Sequence, residues 1–277
     1  MIEFLKALLF GIVEGVTEWL PISSTGHMII LDEFVKLNVR EEFWNLFLVV
    51  IQLGAILAVV LLFWNNIFPL NLTKKEEPVW KKDILLLWVK ILMACIPAGI
   101  VGVLFDDLLD RYLYNFPCVA VALIVFGVLF IVVETRKKGK PAKINAISEL
   151  DYKTVLWIGM FQLLAAVFPG TSRSGATIIG ALMLGVSRTV AAEFTFYLAI
   201  PVMAGASLLK FVKFMMMGLT FSAAEIFILL IGCVSAFIVS ILVIKFLMGY
   251  IKKHDFIPFG IYRIALGLVL LIYFALK

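Results

Sequence analysis

The chain has 277 residues, is 63% hydrophobic with 24 phenylalanines, and combines a mean hydropathy of +1.09 with a net charge of +5. This excludes a soluble domain and predicts an all-α integral membrane protein. The basic residues stand in short runs beside apolar segments, which excludes nucleic acid as a partner. Cys95, Cys118 and Cys233 fall in or beside apolar sequence with no CxxC or Cys/His spacing and read as small buried hydrophobes.

From the start, the first apolar stretch reads as mature structure rather than a secretion signal. Glu3 and Lys6 cancel, Glu14 and Glu18 interrupt the run, and no small-residue cleavage site follows. Glu14 and Glu18 are spaced i, i+4 on one helical face, where two carboxylates repel unless a cation or a proton lies between them. Carboxylates and phosphate oxygens together are the usual way of holding Mg²⁺ or Ca²⁺, so a divalent cation on Glu14 and Glu18 is the expected cofactor. Protonated or hydrogen-bonded glutamates are the alternative. Pro21 then breaks the segment before Ser23-Ser24-Thr25-Gly26-His27. Ser24 is a candidate nucleophile if a neighbour removes its proton. His27 is a candidate general acid or base, and a satisfied core histidine otherwise. Thr25 offers substrate a hydroxyl, and Ser23 either does the same or caps the next helix.

Crossing a hydrocarbon core of roughly 30 Å takes about 20 apolar residues. Candidate spans follow at Phe43–Phe68, Ile84–Phe105, Cys118–Val133, Thr189–Met217, Ala224–Tyr250 and Phe259–Leu276, the third being short. Between the third and fourth lies a second polar knot, Pro169-Gly170-Thr171-Ser172-Arg173-Ser174-Gly175-Ala176-Thr177. The planar fork of Arg173 suits bidentate phosphate binding. Ser172, Ser174 and Thr177 add hydroxyls, Gly170 lets the backbone approach closely, and a helix starting near Ser174 would aim its N–H groups at an anion. Arg188 is expected to snorkel to the cytoplasmic face, Glu193 is a candidate partner near the site, and His254 belongs in solvent or at the lipid surface. A charge near the bilayer centre costs roughly 3 kcal/mol on insertion scales, so these polar groups are functional candidates, and together they read as a metal-assisted phosphate site.

A shift of 148 positions brings Glu14 onto Gln162, Pro21 onto Pro169, Ser24 onto Ser172 and Asn45 onto Glu193. The chain is expected to be one membrane domain of two repeats, approximately 1–134 and 154–277, joined by the basic loop 135–153. The charge pattern supports this. Lys74, Lys75, Lys81, Lys82, Arg136, Lys137, Lys138, Lys140, Lys143, Lys153, Lys252 and Lys253 occupy alternate loops, while the intervening loops hold only Lys36, Arg40, Arg111, Lys210 and Lys213. The positive-inside rule puts the first set in the cytoplasm and both termini outside. Residues 1–42 then begin and end outside and 154–188 begin and end inside. The expected architecture is an inverted repeat with two re-entrant helix hairpins, about six full spans and four short helices.

Glu14-Gly15-Val16-Thr17-Glu18, Leu20-Pro21-Ile22-Ser23-Ser24-Thr25-Gly26-His27 and Pro169–Thr177 closely resemble the bacterial undecaprenyl pyrophosphate phosphatase family, associated with bacitracin resistance. The likeness extends over essentially the whole chain, including Gln52-Leu53-Gly54-Ala55-Ile56 and Glu193-Phe194. The resemblance implies removal of the terminal phosphate from a C55 polyprenyl diphosphate, regenerating the monophosphate carrier for cell-wall synthesis, at a pocket facing outside the bacterial cytoplasmic membrane. It implies metal binding by Glu14 and Glu18, Ser24 as nucleophile, His27 as acid or base, and Arg173 as phosphate clamp. Expected partners are the prenyl diphosphate and membrane lipids, with a homodimer left open. The competing reading is a transporter or polyprenyl-phosphate flippase, since inverted repeats with broken helices also build secondary transporters.

Overall fold

The computed structural model describes residues 1–71, 78–113 and 115–276, so the expectations on Lys74, Lys75 and the side chain of Arg111 lie outside it. The described residues form α1 (Ile2–Thr17), α2 (Ser24–Phe34), α3 (Glu41–Leu62), the single turn α4 (Trp64–Ile67), α5 (Lys82–Leu113), α6 (Phe116–Lys137), α7 (Tyr152–Val167), α8 (Arg173–Met183), α9 (Arg188–Met216), α10 (Ala223–Tyr250) and α11 (Ile257–Leu276). Among them, extended pairing is limited to two isolated bridges, Leu70 with Trp80 and Ile144 with Val186. Six helices (α3, α5, α6, α9, α10, α11) are long and apolar enough to span a membrane. The run expected to be short is a full 22-residue helix, because Asn115 caps its start through Cys118 N–H and Thr135–Lys137 extend its end.

The remaining helices are too short to span. At 1.5 Å per residue, α1 and α7 reach about 24 Å and α2 and α8 about 16 Å. Each pair is interrupted by a proline and restarted by a serine in left-handed backbone, Ser23 (φ 74°) and Ser172 (φ 68°). Both serines cap the helix they precede, Ser23 accepting from Gly26 N–H and Ser172 from Gly175 N–H. At the breaks the halves therefore align one residue away from the 148-position shift: Ser23 matches Ser172, and Ser24 matches Arg173. Gly170 (φ 91°) is required on two counts, since a Cβ there would also lie 2.6 Å from the Val119 carbonyl oxygen.

The halves are interleaved. Helix α10 packs against α1 and α3, whereas α5 packs against α7 and α9, so each half closes the other; α6 pairs with α11, and α8 lodges against α6, α7 and α9. Outward-facing residues such as Leu86, Val103, Leu242 and Val269 are exposed and apolar, as a lipid-facing surface requires. Arg188 does not simply snorkel. It clasps the buried Glu134 through two nitrogens, Nε to Oε1 at 2.9 Å and Nη2 to Oε2 at 2.6 Å, and Glu134 also accepts from Phe256 N–H. Arg40 clasps Glu225 similarly, at 2.8 and 2.9 Å.

Close helix contact depends on missing side chains. A Cβ on Gly54 would lie 2.1 Å from the carbonyl oxygen of Cys233, wedging α3 from α10, whereas Gly99 on α5 faces open space. Gly54→Ala should destabilise the detergent-solubilised protein by about 1–3 kcal/mol, while Gly99→Ala should leave it unchanged or slightly more stable. Thermal unfolding followed by circular dichroism of the two variants checks this.

Candidate active site

The two breaks meet, and Glu18 joins them. As the residue ending α1, Glu18 is buried with 6% exposure. Its Oε2 accepts from Ser24 Oγ at 2.6 Å and its Oε1 from Arg173 Nη2 at 2.9 Å, while its backbone carbonyl accepts from Ser174 Oγ at 3.1 Å. One carboxylate thus touches the first residues of α2 and of α8. Arg173 is fixed further by Nη1 on the Thr195 carbonyl at 2.9 Å and lies over the Trp19 ring. Its Nε is buried with no hydrogen-bond partner in the structure. Two helix N-termini face this junction, so backbone dipoles reinforce the guanidinium in favouring an anion.

A cavity of about 500 Å³ opens beside the junction. It follows one face of α2, from Ser24 and Thr25 past Met28 to Asp32 and Glu33, with Glu14 from α1, Asn45 and Gln52 from α3, Asn115 before α6 and Lys210 from α9 completing its polar lining. Glu14, Ser24 and Thr25 of the expected site residues line this cavity, Glu18 stands one contact further in, on Ser24, and Arg173 one contact beyond Glu18. The others point elsewhere. Ser23 and Ser172 use their hydroxyls as caps. Ser174 holds Glu18, and Thr177 hydrogen-bonds Arg173 O and Thr195 Oγ1 at 2.9 Å each. Gly170 packs on Val119. His27 turns toward α11, its Nε2 2.7 Å from Tyr262 Oη. Glu193 lies apart, accepting from Tyr197 and Asn66.

The donor set bears on the expected cation. Both oxygens of Glu18 are engaged, but Glu14 is 1% exposed and its Oε1 has no hydrogen-bond partner while the side chain lines the cavity. An orphaned buried carboxylate oxygen suits a hard cation. Among the described residues no group of three or more His, Cys, Asp and Glu converges. The protein side of such a site is therefore one carboxylate or two, the pattern in which substrate phosphates and water complete the shell.

Arg263, which sequence reasoning passed over, anchors this arrangement. It comes from α11, is fully buried, and donates from Nη2 to the carbonyls of Gly170 (2.9 Å) and Thr171 (2.7 Å) and from Nη1 to that of Pro21 (3.2 Å). Both breaks hang on one side chain. A lone arginine inside the apolar stretch Phe259–Leu276 was the available signal. Tyr262 and Thr195 carried none, because each meets its partner only through the fold.

Fold and site together define a polytopic helical membrane protein with a buried centre of carboxylate, hydroxyl and guanidinium groups. Residues 7–269 match the family described as bacitracin resistance protein BacA, and the chain belongs to it. It is 62% identical to undecaprenyl-diphosphatase 1 of Clostridium acetobutylicum, over 99% of this chain and 98% of that one. It is 58% identical to the undecaprenyl-diphosphatase of Desulfitobacterium hafniense, over 100% and 98%, and 56% identical to that of Enterococcus faecalis, over 98% and 97%.

Replacing Arg263 strips several buried carbonyls of their donor, each loss costing about 1–3 kcal/mol. Arg263→Met should lower the melting temperature sharply and abolish activity, whereas Arg263→Lys, which keeps the charge but not the fork, should recover part of the stability. Differential scanning fluorimetry of both variants in detergent tests the ranking.

Proposed function

We propose that the protein is an undecaprenyl-diphosphatase of the bacterial cytoplasmic membrane, removing the terminal phosphate of a C55 polyprenyl diphosphate and returning the monophosphate carrier to cell-wall synthesis, which confers bacitracin resistance. Full-length identity to proteins of that name supports the reading. The observation that carries the mechanism is the Ser24–Glu18–Arg173 chain, a hydroxyl, a base and a phosphate-binding cation in direct sequence. Basic loops 136–143 and 252–253 on one side of the bundle favour an extracytoplasmic cavity, with α1–α2 and α7–α8 as re-entrant hairpins of inverted repeats.

Ser24 Oγ attacks the terminal phosphorus while Glu18 takes its proton across the 2.6 Å contact. The bond from the bridging oxygen to that phosphorus breaks, and prenyl monophosphate leaves. Water then hydrolyses the phosphoserine and releases inorganic phosphate. Arg173 exchanges Glu18 for the phosphoryl group, placing its planar donors on the equatorial oxygens where charge spreads in the transition state. Thr25 and the α2 N-terminus supply further donors. The prenyl chain follows the apolar cavity wall of Met28, Ile29, Leu48 and Val49 toward lipid.

A divalent cation belongs to this reading because the described cavity lining sets Glu14, Asp32 and Glu33 against Lys210 alone, and a diphosphate entering such a field needs its own charge neutralised. Glu14 would hold the ion, with Glu18 alongside. When bound, it supplies charge neutralisation on the diphosphate.

Arg173→Lys should lower phosphate release by about 100-fold or more. Ser24→Ala should abolish it, and a phosphate should be trapped on wild-type Ser24 by acid quench. Partial activity in Ser24→Ala would replace the covalent route with direct attack by water. The assay uses purified protein in detergent, where a flippase, which needs a sealed membrane, gives no phosphate.

Glu14→Gln keeps size and hydrogen bonding but removes the charge. The metal concentration giving half-maximal activity should rise by about 10-fold or more. An unchanged metal requirement would remove Glu14 from the cation site.

A further inference from the structure

His27 has the chemistry of a proton carrier, yet both of its nitrogens are occupied away from the cavity. Nδ1 lies 2.7 Å from the backbone carbonyl of Ser23, and a carbonyl only accepts, so Nδ1 carries the proton. In the neutral ring Nε2 is then an acceptor, and Tyr262 Oη stands 2.7 Å away as its donor. The two rings lie parallel, with centroids 5.6 Å apart and an interplanar angle of 2°. Ser24, three residues earlier, directs its hydroxyl to Glu18 instead.

The carbonyl that His27 holds belongs to the strained residue. Ser23 keeps φ at 74°, a conformation costing an ordinary side chain about 1–3 kcal/mol, and it immediately precedes Ser24. Its carbonyl receives two donors from His27, the ring Nδ1–H and, at 3.4 Å, the backbone N–H. In the other half the carbonyl of the matching serine, Ser172, receives among the described residues only the backbone N–H of Ala176, which has no ring to contribute. The half that carries the hydroxyl is the half with the extra tie. Tyr262 sits beside Arg263, whose guanidinium holds the Pro21 carbonyl two residues before Ser23. Adjacent side chains of α11 therefore grip the turn at two points.

We infer that Tyr262 and His27 are positioning residues: Tyr262 holds His27 in its Nδ1–H form, and His27 holds the left-handed turn at Ser23 so that Ser24 Oγ stays on Glu18. His27 then moves no proton in the reaction. The inference rests on the phosphatase reading for its kinetic consequences but not for the ring geometry, so the two are tested separately.

The chain has two histidines. In the full-length protein carrying His254→Gln and ¹⁵N-labelled histidine, the one remaining ring reports its tautomer directly. The expected spectrum shows a protonated Nδ1 and an unprotonated, hydrogen-bonded Nε2. Tyr262→Phe should shift the Nε2 resonance to that of a free acceptor and lower kcat by about 10-fold, the loss of one hydrogen bond, with KM nearly unchanged. His27→Gln, which offers Tyr262 an acceptor in place of Nε2, should stay within about 10-fold of wild type, while His27→Ala should fall by about 100-fold. A protonated Nε2 with a bare Nδ1, or a Tyr262→Phe protein with wild-type kcat and an unmoved resonance, overturns the strut. So does His27→Gln being as inactive as His27→Ala, which is the result for a proton carrier. Absence of phosphate release by the wild-type protein would count against the phosphatase reading, and the ring resonances would still decide the strut.

Discussion

A helix that stops inside an apolar bundle leaves carbonyl groups that water cannot reach, and here two helices stop beside one another. Arg263 resolves both endings at once by donating to Pro21, Gly170 and Thr171. Without a donor at that point, irregular backbone at this depth is unstable, since each orphaned carbonyl carries its full desolvation penalty. Four carbonyls lie within 3.5 Å of this guanidinium, Leu123 on α6 being the fourth, so α11 and α6 hold the two breaks from behind while the breaks face the cavity. The cost of burying a cation is offset by several dipoles rather than by a counter-charge, which leaves the carboxylates nearby for other work.

That division matters because Glu18 already has two partners. It accepts from a cation on one oxygen and from a hydroxyl on the other, and neither contact exists unless the two breaks are held in register. The guanidinium comes from the second half, while the hydroxyl and the carboxylate it meets come from the first. Neither half brings these three groups together alone, and the exchange of α5 and α10 between halves makes separation of the two unworkable as well. The sealed packing of Gly54 on Cys233 and of Gly170 on Val119 serves the same end, fixing helices closely enough for a 2.6 Å contact to persist.

Much of this was legible in the sequence, and the parts that were not have physical causes. Six spans followed from hydropathy because length and apolarity alone decide them; the third looked short only because Asn115 and the polar end Thr135–Lys137 lie outside the apolar core of the helix. The polar knots were visible as turn formers in apolar sequence, and the close contact of Glu18 with Ser24 and Arg173 is the sort of arrangement such residues predict. Direction was not legible. The hydroxyls of Ser172, Ser174 and Thr177 suit phosphate donation by type, but capping and helix-to-helix bonds claim them first. Arg188 looked like a membrane-edge cation until Glu134, 54 positions away, supplied a buried partner. Arg263 differs: its position was as conspicuous as that of Arg173, but no run of serines, threonines and glycines breaks the apolar sequence around it, and the carbonyls it serves leave no mark in sequence.

The one-residue offset between the halves explains how a repeated scaffold yields an asymmetric site. In both, a serine with positive φ caps a short helix, and the next residue is the first of that helix, where N–H groups point outward without partners. That position favours an anion regardless of which side chain occupies it. In one half it holds Ser24 and in the other Arg173, so the same backbone geometry presents a hydroxyl from one side and a guanidinium from the other. The partners differ in the same sense: Glu14 is replaced by Gln162 and His27 by Ala176, and both replacements remove a group whose charge or ring bonding the first half uses. Gln162 retains a buried amide with neither polar atom partnered, and it cannot offer a cation the charge that Glu14 can. The scaffold therefore supplies two equivalent anion-favouring helix starts, and substitution at a few positions arms one of them with a hydroxyl and the other with a guanidinium, both turned onto Glu18.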